Sequence, residues 1–182
     1  MAKIHELNSD GSIKRNFKAV KWIAIGIVAV VLVASSLTIV PAGNTGVVTT
    51  LGKVSTVSFQ EGAHLKIPFI QSVENMSNKI QVYETPASAV SKDLQTVSST
   101  LAVNYRLISD KSPDMYKNVG IEYQTVLMTP VVQECFKSVT ANYTAEQLIT
   151  ERQKVGDEVK EALEEKLNDY GIYIEKFNIV NF

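Results

Sequence analysis

The sequence predicts an α+β fold, in which an antiparallel sheet with packed helices follows a single N-terminal transmembrane helix. Three observations support this prediction. Residues 22–40 are apolar and uncharged, much of the stretch over 45–108 resembles short strands, and most of the remainder follows the 3.6-residue period of helices. About 140 residues follow the apolar run, enough for a domain with its own core.

The apolar run over residues 22–40 reads WIAIGIVAVVLVASSLTIV. As a helix rising about 1.5 Å per residue it would be roughly 28 Å long, close to the ~30 Å hydrocarbon core of a bilayer. A cleaved signal peptide and a buried soluble helix are the alternatives. The apolar core of a signal peptide is usually about 7–15 residues long, and a soluble core helix rarely has apolar residues on every face. We therefore predict an uncleaved span.

Charge is distributed unevenly about this run. Residues 1–21 carry five Lys/Arg and two acidic residues, a balance of +3, whereas the rest of the chain carries 13 basic and 17 acidic residues, a balance of −4. Positive charge beside a span favours the cytoplasmic side. The expected organisation is a cytoplasmic tail over 1–21, a span over 22–40 and a domain over 43–182 on the outer side of the membrane.

Short β-like segments follow the run. The clearest is the last, in which Leu101, Val103, Tyr105 and Leu107 alternate with smaller or polar residues, as expected for a strand with one buried face. The predicted strands cover residues 45–51, 54–59, 64–67, 79–83, 94–108 and a final run from Ile172 to Phe182.

Helical periodicity dominates between these strands. Leu127, Val131, Cys135 and Val139 recur every four residues, and Pro130 either opens this helix after a Thr129 cap or kinks it. Capping boxes are predicted at Thr144–Gln147 and at Thr150–Gln153. The second would open a long helix over about 151–170, which Gly171 would end.

The sequence contains few candidates for catalytic or metal-binding residues. His5 and His64 would lie on opposite sides of the membrane, and the single Cys135 falls in an apolar helical pattern. Ser91 and Lys92 could form a nucleophile pair, although adjacent turn residues rarely point at one substrate atom. We predict no catalytic residue, no cofactor, no metal and no nucleic-acid partner.

One apolar segment outside the span is a candidate for membrane contact. Pro68-Phe69-Ile70 lies between two polar β-like segments, and is either part of the core or a hairpin tip that enters the membrane interface. The predicted membrane-contacting residues are Trp22, Ile23, Ile27, Val31, Leu37, Val40, Pro68, Phe69 and Ile70.

Several motifs occur here in a recognisable order. The run GNTGVVTTLGKV precedes FQEGAHLKIPFIQSV, and SKDLQTVSSTLAVNYRL, PVVQECFKSVTANYTAEQLITERQKV and LNDYGIYIEKFNIVNF follow. In this order they resemble the prohibitin/stomatin (Band 7, or SPFH) family, and the prohibitin branch most closely. The resemblance runs from about Gly43 to Phe182.

The resemblance implies a non-enzymatic membrane scaffold. Members of the family assemble with themselves or with homologous subunits into rings or cages, organise lipids and proteins locally and, in the prohibitin branch, regulate membrane-bound AAA proteases. They usually continue into a long helix that builds coiled-coil walls. This sequence stops at Phe182, where that helix would begin, so the resemblance implies either a natural short form or a truncated one. Lateral packing of the globular domains remains open to it as a mode of assembly. A membrane-tethered Ser/Lys hydrolase and a monomeric lipid-binding module are the alternatives.

Overall fold

The computed structural model describes the backbone of residues 10–181 and the side chains of residues 20–180. The strands are β1 (Leu37–Val40), β2 (Asn44–Thr50), β3 (Lys53–Phe59), β4 (Gly62–Leu65), β5 (Gln71–Ser77), β6 (Gln81–Val90), β7 (Thr96–Leu107) and β8 (Ile172–Asn181). The α-helices are α1 (Asp10–Ser36), α2 (Ser112–Asn118), α3 (Thr129–Thr140), α4 (Ala145–Thr150) and α5 (Arg152–Leu167). Short 3₁₀ turns precede α2 and follow α5.

The described strands form three antiparallel sheets. The first pairs β1 with β4, the second has the order β3-β2-β5, and the third has the order β6-β7-β8. Helices α3 and α5 contact each other and pack on the third sheet. The predicted α+β fold with an antiparallel sheet and packed helices is confirmed.

The main core lies between the third sheet and these helices. The alternation in β7 holds, since Leu101, Val103, Tyr105 and Leu107 are all buried. Helix α3 contributes Val132, Cys135, Phe136 and Val139, and α5 contributes Val155, Val159, Leu163 and Leu167. These stripes recur at steps of three and four because that spacing keeps side chains on one helical face.

Two strands were not predicted. Strand β1 occupies the last four residues of the run predicted as a span, because these residues pair with β4 and do not continue α1. Strand β5 has the polar sequence QSVENMS, and it forms by pairing along the whole of β2. Met76 is the one fully buried apolar side chain in β5, so hydrophobic alternation gave no signal there.

The helix boundaries settle two further predictions. The capping box at Thr144–Gln147 is confirmed, with both reciprocal hydrogen bonds present. The one at Thr150–Gln153 is wrong, because Thr150 ends α4 and its hydroxyl donates to the Glu146 carbonyl. Helix α5 begins at Arg152, and Gly171, in the left-handed conformation, ends the 3₁₀ turn after it.

The segment around Pro130 differs from both predicted alternatives. Pro130 is the second residue of α3 and directly follows a π-helical turn over Gln124–Met128, with no capping hydrogen bond from Thr129. The Thr129 hydroxyl instead donates to the carbonyl of Gln124 at 3.1 Å. A wider π turn provides space for a proline ring that would collide with the preceding turn of a regular α-helix.

Candidate functional site

Helix α1 carries apolar side chains that the rest of the described protein does not cover. Trp22, Ile23, Ile27 and Val31 are all exposed, with Trp22 at 73%. Every residue from 20 to 34 is exposed, which covers more than four turns of the helix, so the exposure is not confined to one face. Among the residues whose side chains are described, no helix is both long enough and apolar enough to cross a membrane.

The end of α1 is held by the first sheet. Helix α1 stops at Ser36, whose carbonyl oxygen accepts a 2.7 Å hydrogen bond from the Lys66 amide, and Leu37 pairs with Leu65 across the sheet. Leu37 is exposed, as a membrane-contacting residue requires. Val40 is only 1% exposed and packs inside the protein, which leaves its side chain unavailable to lipid.

The segment Pro68-Phe69-Ile70 forms the turn between β4 and β5. Gln71 closes the turn, because its amide donates to the Ile67 carbonyl at 2.9 Å and its side-chain oxygen accepts from the Ile67 amide at 2.8 Å. Phe69 lies at the tip with φ at +66° and is 86% exposed. Of the two alternatives in the sequence, the core is therefore wrong for Phe69, which faces outward.

A second turn lies against this one. The amide of Leu51, between β2 and β3, donates a 2.9 Å hydrogen bond to the carbonyl of Ile70. Leu51 is 80% exposed and its φ is +49°. The exposed apolar residues that meet at this end of the domain are Leu37, Leu51, Leu65, Ile67, Phe69 and Ile70. We name this set the apolar foot.

Sequence reasoning missed Leu51, Leu65 and Ile67 as members of the apolar foot. Leu51 directly precedes the turn pair Gly52-Lys53, and a large apolar residue at the edge of a turn is the signal that could have identified it. Leu65 and Ile67 flank the strand end at Lys66. Leu65 pairs with Leu37 across the first sheet, and a single sequence does not reveal such a pairing.

The Ser91-Lys92 pair has a structural role at the tip of the β6–β7 hairpin. Ser91 is buried, and its hydroxyl donates to the Asp93 carboxylate at 2.6 Å. The amide of Gln95 donates to that same hydroxyl at 3.1 Å. Lys92 is exposed, and its backbone amide binds the Tyr143 carbonyl. A buried hydroxyl bound to a carboxylate and to a backbone amide fits a turn, and does not present a nucleophile to a substrate.

The other reactive side chains have similar local roles. His64 lies in β4, stacks on Phe59 at 4.5 Å between ring centroids, and makes a hydrogen bond to the Gln60 carbonyl. Cys135 is buried in α3, and burial raises the pKa of its thiol. No group of three metal-ligating side chains occurs among the described residues. His5 lies outside them.

Comparison with known proteins assigns the family. The model of the SPFH domain / Band 7 family matches residues 38–182. Prohibitin-1 of Schizosaccharomyces pombe is 32% identical over 82% of this chain and 54% of its own length. Prohibitin-1, mitochondrial, of Arabidopsis thaliana is 30% identical over 68% of this chain and 43% of its own. Prohibitin 1 of Mus musculus is 29% identical over 70% of this chain and 47% of its own.

The chain spans about half the length of these curated relatives. The matched region begins at the second residue of β1 and contains every strand of the second and third sheets, the helices that pack on them and most of the apolar foot. This protein belongs to the SPFH domain / Band 7 family.

Proposed function

We propose that this protein is a membrane-anchored oligomeric scaffold of the prohibitin type. Copies of the chain, or the chain and homologous subunits, would assemble in the plane of a membrane and organise lipids and membrane proteins there. The observation that carries the proposal is that α1 exposes apolar side chains on all sides and emerges beside the apolar foot. Water is a poor solvent for both surfaces, and a bilayer is a good one.

The anchor is α1 together with the tip at Pro68, Phe69 and Ile70. Helix α1 is 27 residues long, and its uncharged part, residues 22–36, is about 22 Å long at ~1.5 Å per residue. Lys21 is exposed one residue before Trp22, where a long cationic side chain can reach the headgroups. The basic N-terminal residues favour a cytoplasmic N-terminus, which places the α+β domain on the outer side of the membrane.

Assembly would use lateral contacts between domains. Confinement to a plane raises the effective concentration of neighbouring copies, so that weak contacts suffice to build a ring. Through such a ring the protein would limit the access of a membrane-bound AAA protease to its substrates. This last step rests on resemblance to the prohibitin branch.

Membrane extraction tests the anchor. We expect the full chain to stay in the pellet after alkaline carbonate treatment, and Val28→Asp to release it, since a central Asp disfavours insertion by about 3 kcal/mol. Val57→Asp, at an exposed valine in β3, is the matched control and should stay in the pellet. Release of the wild-type chain would contradict the anchor.

Particle size tests the assembly. After mild detergent extraction we expect ring-like particles in electron micrographs, far larger than the 20.1 kDa chain. A particle of one chain would instead support the monomeric lipid-binding module. For the protease, the expected result is faster turnover of membrane substrates when the chain is deleted, with restoration by the wild-type chain.

A further inference from the structure

Three large apolar residues are held in an unfavourable backbone conformation and exposed. In the described part of the chain, the non-glycine residues with positive φ are Leu51, Phe69 and Leu94. Each is at least 80% exposed. A left-handed conformation is unfavourable for residues with a Cβ, and exposure of a large apolar side chain in water is unfavourable as well. Such positions are typical of sites at which a side chain is presented to a partner.

Two of the three lie side by side. The hydrogen bond from the Leu51 amide to the Ile70 carbonyl joins the β2–β3 turn to the β4–β5 turn, so Leu51 and Phe69 project from neighbouring tips. Leu65 and Ile67 extend this surface to Leu37 at the end of α1. The apolar foot is therefore continuous with the exposed apolar helix, and both surfaces would meet one occupant.

The charged residues within the two turn segments, residues 44–60 and 62–73, are lysines. Lys53 pairs with Thr50 at the base of the β2–β3 turn, and Lys66 lies between Leu65 and Ile67. Neither lysine has a salt bridge among the described side chains. No acidic residue occurs in residues 44–60 or 62–73. Apolar turn tips bordered by lysines without salt bridges are complementary to an anionic membrane. Its acyl chains would accept the apolar side chains, and its headgroups would attract the lysines.

We propose that the two joined turns form a wedge that inserts Leu51 and Phe69 into the bilayer, and that Lys53 and Lys66 favour anionic lipid headgroups around it. The proposal rests on the membrane placement of α1 proposed above. It adds a second inserted turn and a lipid preference to that placement. Leu94 is not part of the wedge. It precedes Thr96, the residue at which β7 begins. Strands β2 and β3 instead contact α2, which follows Leu107, the residue at which β7 ends.

Insertion depth tests the wedge in the full chain. Leu51→Cys, Phe69→Cys, Leu94→Cys and Val28→Cys would each be labelled with an environment-sensitive fluorophore, after which the chain is reconstituted into vesicles containing lipids with a quencher on the acyl chain. Leu94 is the matched control, since it is a leucine at 85% exposure in the same left-handed conformation. Because the native thiol of Cys135 is buried, wild-type protein treated with the same fluorophore gives the background signal.

We expect quenching of the labels at 51 and 69 and none at 94. Quenching at 28 with none at 51 overturns the wedge and leaves the anchor intact. Quenching at 51 with none at 28 supports the wedge and contradicts the anchor. Absence of quenching at both positions overturns both proposals, and quenching at 94 equal to that at 51 overturns the wedge as a specific surface.

Lipid composition tests the lysines. Vesicles of phosphatidylcholine alone would be compared with a mixture that contains phosphatidylglycerol. We expect stronger quenching at 51 in the mixture, because each lysine near an anionic surface favours the bound state about fivefold. The double variant Lys53→Glu/Lys66→Glu should abolish the difference, whereas Lys117→Glu/Lys137→Glu, with the same charge change at exposed lysines elsewhere, should retain it. Equal quenching in both vesicles overturns the lipid preference.

Discussion

The carboxylate of Asp93 accepts a 3.0 Å hydrogen bond from the backbone amide of Ala145, which joins the tip of the β6–β7 hairpin to the first turn of α4. The same carboxylate accepts hydrogen bonds from the Ser91 hydroxyl at 2.6 Å and from the Gln95 side-chain amide at 3.0 Å. One side chain thus orders its own turn and attaches the turn to a helix 52 residues away in sequence.

Removal of this carboxylate should loosen both elements. Asp93→Ala deletes the acceptor for all three donors, so we expect a lower melting temperature in detergent micelles and faster amide exchange at Ala145. Asp114→Ala, at an exposed aspartate in α2, is the control. An unchanged exchange rate at Ala145 in Asp93→Ala would show that the hairpin tip does not hold α4.

Stability should depend on pH through the same group. The hydrogen bond from Ser91 lowers the pKa of Asp93 below its ordinary value. Local desolvation opposes this effect at an otherwise exposed side chain, and the hydrogen bond from the Ala145 amide adds to the lowering. A carboxyl with a lowered pKa in the folded state contributes stability above its unfolded pKa, and this contribution is lost as the pH falls through the folded pKa.

The melting temperatures of wild type and Asp93→Asn should therefore differ by a constant amount between neutral pH and about pH 5, and converge below about pH 4. Thermal unfolding of both proteins across this range is the measurement. A difference that grows as the pH falls would contradict the assigned direction of the pKa shift.

The two predicted capping boxes provide a matched pair of threonines. The Thr144 hydroxyl accepts from the Gln147 amide at 3.3 Å, and the Gln147 side chain accepts from the Thr144 amide at 3.0 Å. Thr144→Ala should lower the free energy of unfolding by about 1 kcal/mol. Thr150→Ala should have a smaller effect, because the Thr150 hydroxyl caps no helix. Urea unfolding in micelles measures the free energy of unfolding of both variants. Equal losses would contradict the assignment of Thr144, and not Thr150, as a helix cap.

These two threonines show what the sequence could and could not predict. Both stand three residues before a glutamine, and only the chain geometry separates a cap from a residue inside a helix. In β7 and α5 the apolar period is long and unbroken, so the sequence was sufficient there. In β1 and β5 the decisive factor is a partner strand that is distant in sequence. Hydropathy was also insufficient for Phe69 and Leu51, because an apolar residue in a turn fits a core or a surface equally well.

A buried tyrosine pair supports the π-helical turn. The Tyr105 hydroxyl accepts a 2.6 Å hydrogen bond from the Gln124 side-chain amide and lies 3.0 Å from the Tyr123 hydroxyl. Burial, followed by this contact, raises the pKa of Tyr123. Tyr105→Phe should cost about 1–3 kcal/mol, because it leaves buried polar partners unpaired. Tyr170→Phe, at an exposed tyrosine, should change the free energy of unfolding little. If Tyr105→Phe lowered it no more than Tyr170→Phe does, the buried contacts would contribute nothing to stability.

Two glycines separate backbone strain from steric contact. Gly171 and Gly120 both have positive φ, at +79° and +96°. A Cβ on Gly171 would lie 2.3 Å from the Lys111 Cβ, whereas a Cβ on Gly120 would meet nothing within 4 Å.

Gly120→Ala should therefore lower the free energy of unfolding by about 1–2 kcal/mol, because alanine is unfavourable in a left-handed backbone conformation. Gly171→Ala should lower the free energy of unfolding by about 1–3 kcal/mol more than Gly120→Ala. The new Cβ would collide with the Lys111 Cβ, and that atom cannot move unless the backbone of Lys111 moves with it. Urea unfolding of the two variants measures the difference. The Lys111 amine also donates to the Asp169 carbonyl at 3.2 Å, so a shift of Lys111 would weaken the junction between α5 and β8. If both variants lost the same free energy of unfolding, the backbone at Lys111 would be able to move without a loss of stability. The close packing of Gly171 would then have no part in holding β8 beside β7.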